Sequence, residues 1–428
     1  MHAGVLNRSL DILRTGDWLT HERVRRIAVA LICAYAVAVG YLVVTANGPV
    51  DALGRPLGTD FSNVYAAGTY VLEGKPQAPF DPALQYAREQ AIFGPDTPFY
   101  GWHYPPFFLF VAAGLALLPY GLALAVWQIA TFLLYLVSIR AILAATPIGG
   151  SSTDSENCAI PTLALLLAAA FPAVFVNLSH GHNGFLSAAL MGAALVTLDR
   201  RPIGAGILFG LLIYKPQFGL MVPFVLAATG RWRTFAAAAA TAMLLVLLAT
   251  LAFGPQVWEA FAASTQFTRV VVLEAGDPGW HKIQSMFSWV RMWGGSIAVA
   301  YMLQAAVTLA VGATLIWLWR SAASFALKAS ALCLSAMLSS PYGYDYDMMI
   351  LAPAIAFLAS DGLAQGWRPW EKTLLAAFWL MPIAARGIAL ATFVPLGVIA
   401  MIAIYVAILR RGVMELGKQA HTSAAAAR

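Results

Sequence analysis

The chain has 428 residues, of which 60% are hydrophobic and only 11% are charged. Soluble globular domains carry roughly 25% charged residues and roughly 45–50% apolar residues, so this composition excludes a water-soluble domain. Because basic residues stay on the cytoplasmic side of a membrane, the positions of the arginines and lysines predict that both termini are cytoplasmic. The net charge of +6 therefore requires no nucleic-acid partner. The basic residues that flank the first and last apolar segments are Arg8, Arg14, Arg23, Arg25, Arg26, Arg410, Arg411 and Lys418.

The first apolar segment runs from Ile27 to Ala46. Its length of about 20 residues suits a full transmembrane helix and exceeds the apolar core of a signal peptide, so we predict a retained first span. For residues 1–26 two interpretations stay open, a helix on the inner membrane surface and a disordered tail. The three cysteines, Cys33, Cys158 and Cys333, are odd in number and imply no disulfide framework.

A long polar segment, residues 47–104, follows the first span and forms the first outer loop. Apolar residues recur within it at helical spacing, and Gly74 with Pro76 ends the pattern. We therefore predict an amphipathic helix that begins at Asp60 and rests on the outer interface. The residues that set this spacing are Phe61, Val64, Tyr65, Val71 and Leu72.

The rest of the chain predicts an all-α polytopic membrane protein with about ten to twelve transmembrane helices within residues 27–411. Lys215-Pro216-Gln217 interrupts the apolar stretch 202–229, which predicts two half-spanning helices that meet at a polar turn. Residues 254–296 form a second outer loop, residues 388–409 are expected to form the last span, and residues 412–428 form a cytoplasmic tail. Three apolar segments lie between His103 and His180, where an even number of crossings is required, so we expect the short segment from Pro105 to be partial.

Polar residues collect at the predicted outer ends of the spans. Because polar groups at membrane depth are costly, such groups tend to mark function, and their distribution predicts an active site at the outer interface. His180 and His182 do not share a helix face, so a metal-binding pair is not indicated. The collected residues are Asp60, His103, Tyr104, His182, Asn183, Lys215, Gln217, His281, Lys282, Gln284 and Tyr342 to Asp347.

Each of these residues also has a structural interpretation. Asp60 could serve only as the N-cap of the following helix, and Lys215 and Arg386 could be interfacial side chains that reach towards water. His182 and Asn183 could cap a helix, residues 281–284 could be ordinary loop, and the tyrosines from Tyr342 onwards could belong to an aromatic belt. The sequence alone leaves these alternatives open.

The order of several motifs resembles glycosyltransferase family 87 of the GT-C superfamily, whose characterised members are mannosyltransferases that use polyprenol-phosphate-mannose. The resemblance covers roughly residues 27–410. It departs at Gly181-His182-Asn183, where the family pattern is Gly-Gln-x-Asn. The motifs are Thr59-Asp60-Phe61, Tyr65-Ala66-Ala67, Leu72 to Pro76, Tyr104-Pro105-Pro106, Gly181-His182-Asn183, Tyr214 to Gln217, Arg231-Trp232-Arg233 and Ser340-Pro341-Tyr342.

The resemblance implies a GT-C-type bundle in the cytoplasmic membrane, with a metal-independent, inverting active site on the extracytoplasmic side and no cofactor. The implied reaction moves a hexose, mannose by likeness, from a polyprenyl-phosphate sugar to a lipid or glycan acceptor, with Asp60 as general base. We expect Lys215, Lys282 and Arg386 to bind the donor phosphate. The expected substrate-binding residues are Tyr65, His103, Tyr104, His182, Asn183, Gln217, His281, Gln284, Tyr342, Tyr344 and Asp345.

Two other classes of protein remain as alternatives. A membrane oligosaccharide polymerase or ligase is expected to have a larger outer loop with paired arginines, whereas the second loop here contains only Arg269 and Arg291. A lipid-linked sugar flippase or transporter is expected to have ionisable residues at mid-membrane and two related halves. Neither pattern is visible, so the transferase is favoured.

Overall fold

The computed structural model describes residues 2–145 and 154–426. Over these residues the protein is all-α: extended backbone is limited to isolated bridges, such as the one between Ile283 and Tyr344. The predicted fold class is therefore confirmed. Most of the predicted loop at residues 146–157, and the side chain of Cys158, lie outside the described part of the chain.

The described residues as far as Thr197 form nine α-helices. The amphipathic helix predicted after Asp60 is present as the third of them, and the apolar segment after Pro105 is too short to span a bilayer, as expected. These helices are α1 (His2–Thr15), α2 (His21–Val44), α3 (Phe61–Leu72), α4 (Pro82–Phe93), α5 (Leu109–Ala116), α6 (Tyr120–Ala145), α7 (Asp154–Ala170), α8 (Pro172–His180) and α9 (Gly184–Thr197).

Residues 202–426, the described part of the remaining chain, contain eleven more α-helices. Two short apolar helices meet at Lys215, so the predicted pair of half-spanning helices is also found. The helices are α10 (Pro202–Leu211), α11 (Val222–Ala228), α12 (Trp232–Phe253), α13 (Gln256–Phe267), α14 (Met286–Met292), α15 (Ile297–Arg320), α16 (Phe325–Leu338), α17 (Leu351–Gln365), α18 (Glu371–Leu380), α19 (Ala385–Thr392) and α20 (Leu396–Ala426).

Six helices in the described chain are long and apolar enough to cross a membrane. The number of crossings rises to eight if each of two bent helix pairs counts as one span. The bent pairs are α7 with α8 (49°) and α18 with α19 (73°). Five shorter apolar helices complete the bundle. The protein is thus polytopic, and the long helices alone give fewer crossings than the ten to twelve predicted. An expected span over residues 388–409 is instead broken, because Phe393 adopts a φ of 58° between α19 and α20.

The helices pack closely at positions where a glycine, which has no side chain, faces a neighbouring helix. Gly206 and Gly210 on α10 face the backbone of α12, and a Cβ at Gly206 would lie 2.5 Å from Ala237 Cβ. On α9, Gly192 faces α6 at Ser138. Small residues at membrane helix interfaces let backbones approach closely, and van der Waals packing then replaces the hydrophobic driving force available in water.

Polar side chains gather at the two ends of the bundle. One end holds the start of α3, the end of α8 and the start of α9. At the other end, Arg411 on α20 contacts Asp361 on α17 (2.7 Å) and Glu371 on α18 (2.5 Å). The two polar regions are separated by the length of α17, which at about 1.5 Å per residue spans roughly 20 Å.

Candidate active site

Asp60 occupies the N-cap position of α3, but its side chain does not cap the helix. Its backbone is helical (φ −73°, ψ −18°), and its carboxylate accepts no hydrogen bond from the first turn. Its side chain is 18% exposed. The interpretation of Asp60 as a simple helix cap is therefore wrong, and the carboxylate is free for another role.

The end of α8 holds Asp60 in place. The Asp60 backbone N–H donates to the His180 carbonyl (2.9 Å), and the Thr59 hydroxyl lies 2.7 Å from His180 Nδ1. The same ring nitrogen is 4.0 Å from Asp60 Oδ1. This approach depends on Gly181, which has a φ of 61° and whose Cβ, if present, would lie 2.6 Å from Phe61 Cβ.

The environment of Asp60 raises its pKa to about 7. Burial is the largest cause, because a carboxylate that loses water favours its neutral form. Lys215, Lys282 and Arg386 oppose this effect, whereas the negative charge of Asp347 reinforces it. A carboxyl group that titrates near neutrality suits general acid–base chemistry.

Lys215 lies at the break between α10 and α11, where Pro216 prevents the helix from continuing. Its buried Nζ donates to Asp347 Oδ1 (2.5 Å) and approaches His182 Nε2 (3.3 Å). A hydrogen bond from the ammonium group to Nε2 requires the His182 tautomer that carries its proton on Nδ1. The Tyr104 hydroxyl lies 3.4 Å from the same ring nitrogen.

The second cation–carboxylate pair joins Arg386 at the start of α19 to Asp345, at 3.5 Å. Lys282 comes from the second outer loop and is half-buried, which lowers its pKa. Within the described chain, no carboxylate lies at ion-pair distance from Lys282. Its charge is thus the one most available to an added anion.

Several buried polar atoms around these residues have no hydrogen-bond partner within the described chain. Such atoms are rare in folded proteins, because each one loses the free energy of its hydrogen bond to water. Atoms of this kind near Asp60 leave hydrogen-bonding capacity for a polar ligand. They are Asn63 Oδ1, His182 Nδ1, Asn183 Oδ1 and Gln284 Oε1.

Aromatic rings form one wall of the site. His182 stacks on Tyr346 with ring centroids 3.7 Å apart, and Tyr346 stacks on Tyr344 at 5.1 Å. Tyr342 meets Tyr344 edge to face. The outer loop joins this wall through the Gln284 N–H, which donates to the Gly343 carbonyl (2.7 Å). Flat aromatic faces next to polar groups suit the binding of a sugar ring.

The structure brings most of the predicted site residues together but directs the side chains of two of them into other contacts. Tyr65 packs edge to face against Tyr120 and donates to the Leu118 carbonyl, so it supports the helix core. His103 bonds to Thr268 (2.9 Å) and links the two outer loops. Gln217 makes no hydrogen bond to the cluster in the described chain. The residues brought together are Asp60, Tyr104, His182, Asn183, Lys215, His281, Lys282, Gln284, Tyr342, Tyr344, Asp345 and Arg386.

Four residues in or next to the candidate site were not among the residues predicted from the sequence. His180 lies two residues before His182 but had been considered only as a metal ligand, and its contact with Thr59 became visible only in the fold. Asp347 and Tyr346 belong to the predicted tyrosine–aspartate segment but were not singled out. Glu89 on α4 gave no signal. Its buried carboxylate accepts the Tyr100 and Gly101 N–H groups and thereby ties the outer loop to α4.

The comparison with protein families agrees with this geometry. Residues 102–341 match the model of glycosyltransferase family 87. No curated protein and no solved structure matches the chain. The matched range includes His182, Asn183, Lys215 and Gln284, whereas Asp60 and Arg386 lie outside it. Because the match covers more than half of the 428 residues, the chain belongs to glycosyltransferase family 87.

Proposed function

We propose that this membrane glycosyltransferase moves a hexose from a polyprenyl-phosphate sugar to a hydroxyl group of a lipid or glycan acceptor, with Asp60 as the general base. The observation that carries the proposal is the Asp60 carboxylate, whose pKa is raised to about 7 beside three cationic side chains. Transfer of a sugar from a phosphate leaving group requires a base that activates the acceptor and a group that binds the departing anion. The choice of mannose rests on the family resemblance.

The proposed reaction is a single displacement. Asp60 accepts the proton of the acceptor hydroxyl while the oxygen of that hydroxyl forms a bond to the anomeric carbon. The bond between that carbon and the phosphate oxygen breaks, and the electron pair leaves with polyprenyl phosphate. Attack from the opposite face inverts the anomeric centre, so a β-linked donor gives an α-glycoside. No cofactor takes part in this proposal.

The three cations receive different roles in the proposal. Lys282 has no carboxylate partner in the described chain and would contact the donor phosphate directly. Arg386 is 40% exposed and pairs with Asp345 at only 3.5 Å, so it can turn towards the phosphate. Lys215 is held by Asp347 and would stabilise the developing negative charge from a fixed position.

The unpartnered polar atoms support the sugar-binding part of the proposal. His182 Nδ1 can donate to a sugar hydroxyl, whereas the Asn183 and Gln284 side-chain oxygens can accept from one. The tyrosine wall from Tyr342 to Tyr346 would pack against the ring face. We place this site at the extracytoplasmic side of the cytoplasmic membrane, because the basic residues of both termini favour a cytoplasmic location.

The decisive experiment incubates the purified protein in membranes with radiolabelled polyprenyl-phosphate sugars and identifies the labelled product. We expect Asp60→Asn to lower the rate of transfer by roughly 10²–10⁴-fold, the usual contribution of a general base. Donor binding should persist, because the amide keeps the shape of the carboxylate.

Asp96→Asn is the matched control, since Asp96 is an exposed acid in the same outer loop. Transfer by Asp60→Asn at the rate of this control would rule out the assigned base. A labelled polymer rather than a product extended by one sugar would instead favour the polymerase alternative.

A further inference from the structure

A cavity of about 440 Å³ lies within the helix bundle, separate from the site around Asp60. Helices α2, α6, α7, α17 and α18 form its walls, and side chains such as Ile139, Leu167, Ala356 and Leu375 line it. Its volume falls within the range of roughly 300–1,000 Å³ that ligand pockets occupy. It is large enough to hold part of a small molecule or lipid.

The interior of this cavity offers no free polar group to a ligand among the described side chains that line its deep part. The Tyr135 hydroxyl donates to the Ala168 carbonyl (3.0 Å), and Trp379 Nε1 donates to the Leu167 carbonyl (3.2 Å). A sugar or a headgroup placed here would lose its hydrogen bonds to water without replacement. The interior therefore suits hydrocarbon.

The mouth of the cavity has a different character. Trp18, His21 and Lys372 line it at the end of the bundle opposite Asp60. Arg23 reaches the same place, since its guanidinium donates to the Trp18 carbonyl (2.6 Å). The mouth thus combines two permanent cations with aromatic side chains.

The nearby carboxylates form no ion pair with these cations in the described chain. Glu22 pairs with Arg26, Glu371 pairs with Arg411, and Asp17 accepts the Thr15 hydroxyl (2.6 Å). No carboxylate in the described chain lies within ion-pair distance of Lys372, whose stem instead packs against Gly16. A mobile anion at the mouth would therefore meet cations that hold no ion pair within the described chain.

We propose that this cavity binds one hydrocarbon chain of an anionic glycerophospholipid whose phosphate contacts Lys372 and Arg23. Apolar burial and the attraction of basic residues to anionic lipids act together in such a site. The donor substrate is a poor fit, because its phosphate would have to lie near Asp60. The cavity wall along α17 from Ala352 to Leu363 separates the two positions by about 16 Å at 1.5 Å per residue.

The bound lipid would also contact helices that continue into the candidate active site. Both bent helix pairs line the cavity with their first arms, at Leu167 of α7 and Leu375 of α18. Their second arms, α8 and α19, carry His180 and Arg386. A lipid in the cavity would therefore contact both helix pairs that carry these two residues.

Native mass spectrometry of the purified protein, released from its membrane in mild detergent, tests the proposal without using sugar transfer. We expect one retained anionic glycerophospholipid per chain. Ala356→Trp fills the cavity and should abolish retention. Lys372→Gln should weaken retention about fivefold, the usual effect of one basic residue near an anionic surface.

Two variants serve as controls. Leu309→Trp introduces the same side chain on the exposed face of α15, and Arg320→Gln removes an exposed cation from the end of that helix. Both should retain the lipid. Equal retention by Lys372→Gln and Arg320→Gln would overturn the proposal, even if Ala356→Trp failed to fold. Recovery of only a polyprenyl phosphate or a zwitterionic lipid would overturn it as well.

Discussion

Asp60 owes its proposed reactivity to the residues that surround it rather than to its own chemistry. An aspartate in water titrates near 4 and is a weak base at neutral pH. Burial raises the pKa of Asp60 to about 7, and the surrounding cations prevent a larger shift. The His180 carbonyl and the left-handed Gly181 fix the backbone so that the carboxylate stays in this position.

This pKa predicts the pH dependence of transfer. A general base acts only when deprotonated, so the rate should fall as the pH drops through about 7 and level off above it. Below pH 6 we expect kcat/KM to fall about tenfold per pH unit. The measurement is kcat/KM for the labelled donor between pH 5 and pH 8.5.

Lys282→Ala provides the internal comparison for this pH profile. The positive charge of Lys282 lowers the pKa of Asp60, so its removal should move the acidic limb of the profile to higher pH. Lys75→Ala removes an exposed lysine from the same face and should leave the limb unchanged. An acidic limb that stayed in place in both variants would argue against Asp60 as the titrating base.

At the scale of the element, α3 carries Asp60 and is positioned by its packing on α5. Gly68 on α3 touches the carbonyl of Ala112 on α5. On the other side, Gln85 of α4 donates to the Asn63 carbonyl of α3 (3.1 Å). Because α3 is only 12 residues long, these contacts rather than its own length determine where Asp60 lies.

Gly68→Ala tests this packing. A Cβ at this position would collide with the Ala112 carbonyl and lie 2.7 Å from Ala116 Cβ, so α3 must move. We expect a loss of about 1–3 kcal/mol in the free energy of unfolding, as in other overpacked interfaces, and a parallel loss of transfer activity. Thermal unfolding and the transfer assay measure the two effects.

Gly114→Ala is the control, since Gly114 lies on α5 and a Cβ there meets nothing within 4 Å. It should be neutral or slightly stabilising, because alanine favours helix more than glycine does. Comparable losses in the two variants would show that the Gly68 contact does not position α3.

For the whole molecule, the two polar ends of the bundle differ in kind. The end with Asp60 holds the proposed base and the cations around it, whereas the opposite end contains a buried network in which Arg411 contacts Asp361, Glu371 and Glu415. This network joins α17, α18 and α20. It provides a structural anchor away from the proposed chemistry.

Removal of Arg411 should destabilise the bundle without a direct effect on catalysis. Arg411→Gln leaves the neighbouring carboxylates buried without their cation, at a cost of about 3–5 kcal/mol. We expect a lower unfolding temperature but a normal KM for the donor in the protein that remains folded. Arg410→Gln, which changes the exposed neighbour, should leave both quantities unchanged.

The proposed orientation can be tested by cysteine labelling in intact cells. In a variant whose native cysteines are replaced by alanine, Asp96→Cys should react with a membrane-impermeant maleimide. Arg201→Cys, at the predicted cytoplasmic start of α10, should react only after permeabilisation. Labelling in the reverse pattern would place the site on the cytoplasmic side.

Sequence-based prediction captures local signals, whereas tertiary packing depends on residues that are distant along the chain. Hydrophobicity and helix breakers are local, so α3, the short helix after Pro105 and the break at Lys215 were predicted correctly. The break at Phe393 was missed, because a left-handed φ at a non-glycine residue has no clear local signal. Tyr65 and His103 are polar residues in the right loop, yet tertiary packing directs both away from the site.

The sequence by itself determined that the protein is an all-α membrane protein of glycosyltransferase family 87 and that Asp60 stands at the start of a helix after the first span. These properties follow from composition, helical periodicity and the order of motifs. Only the tertiary structure decided that Asp60 does not cap its helix, that His180 holds it, and that Asp347 engages Lys215. Such contacts join residues more than 100 positions apart, and no local pattern encodes which distant side chains will meet.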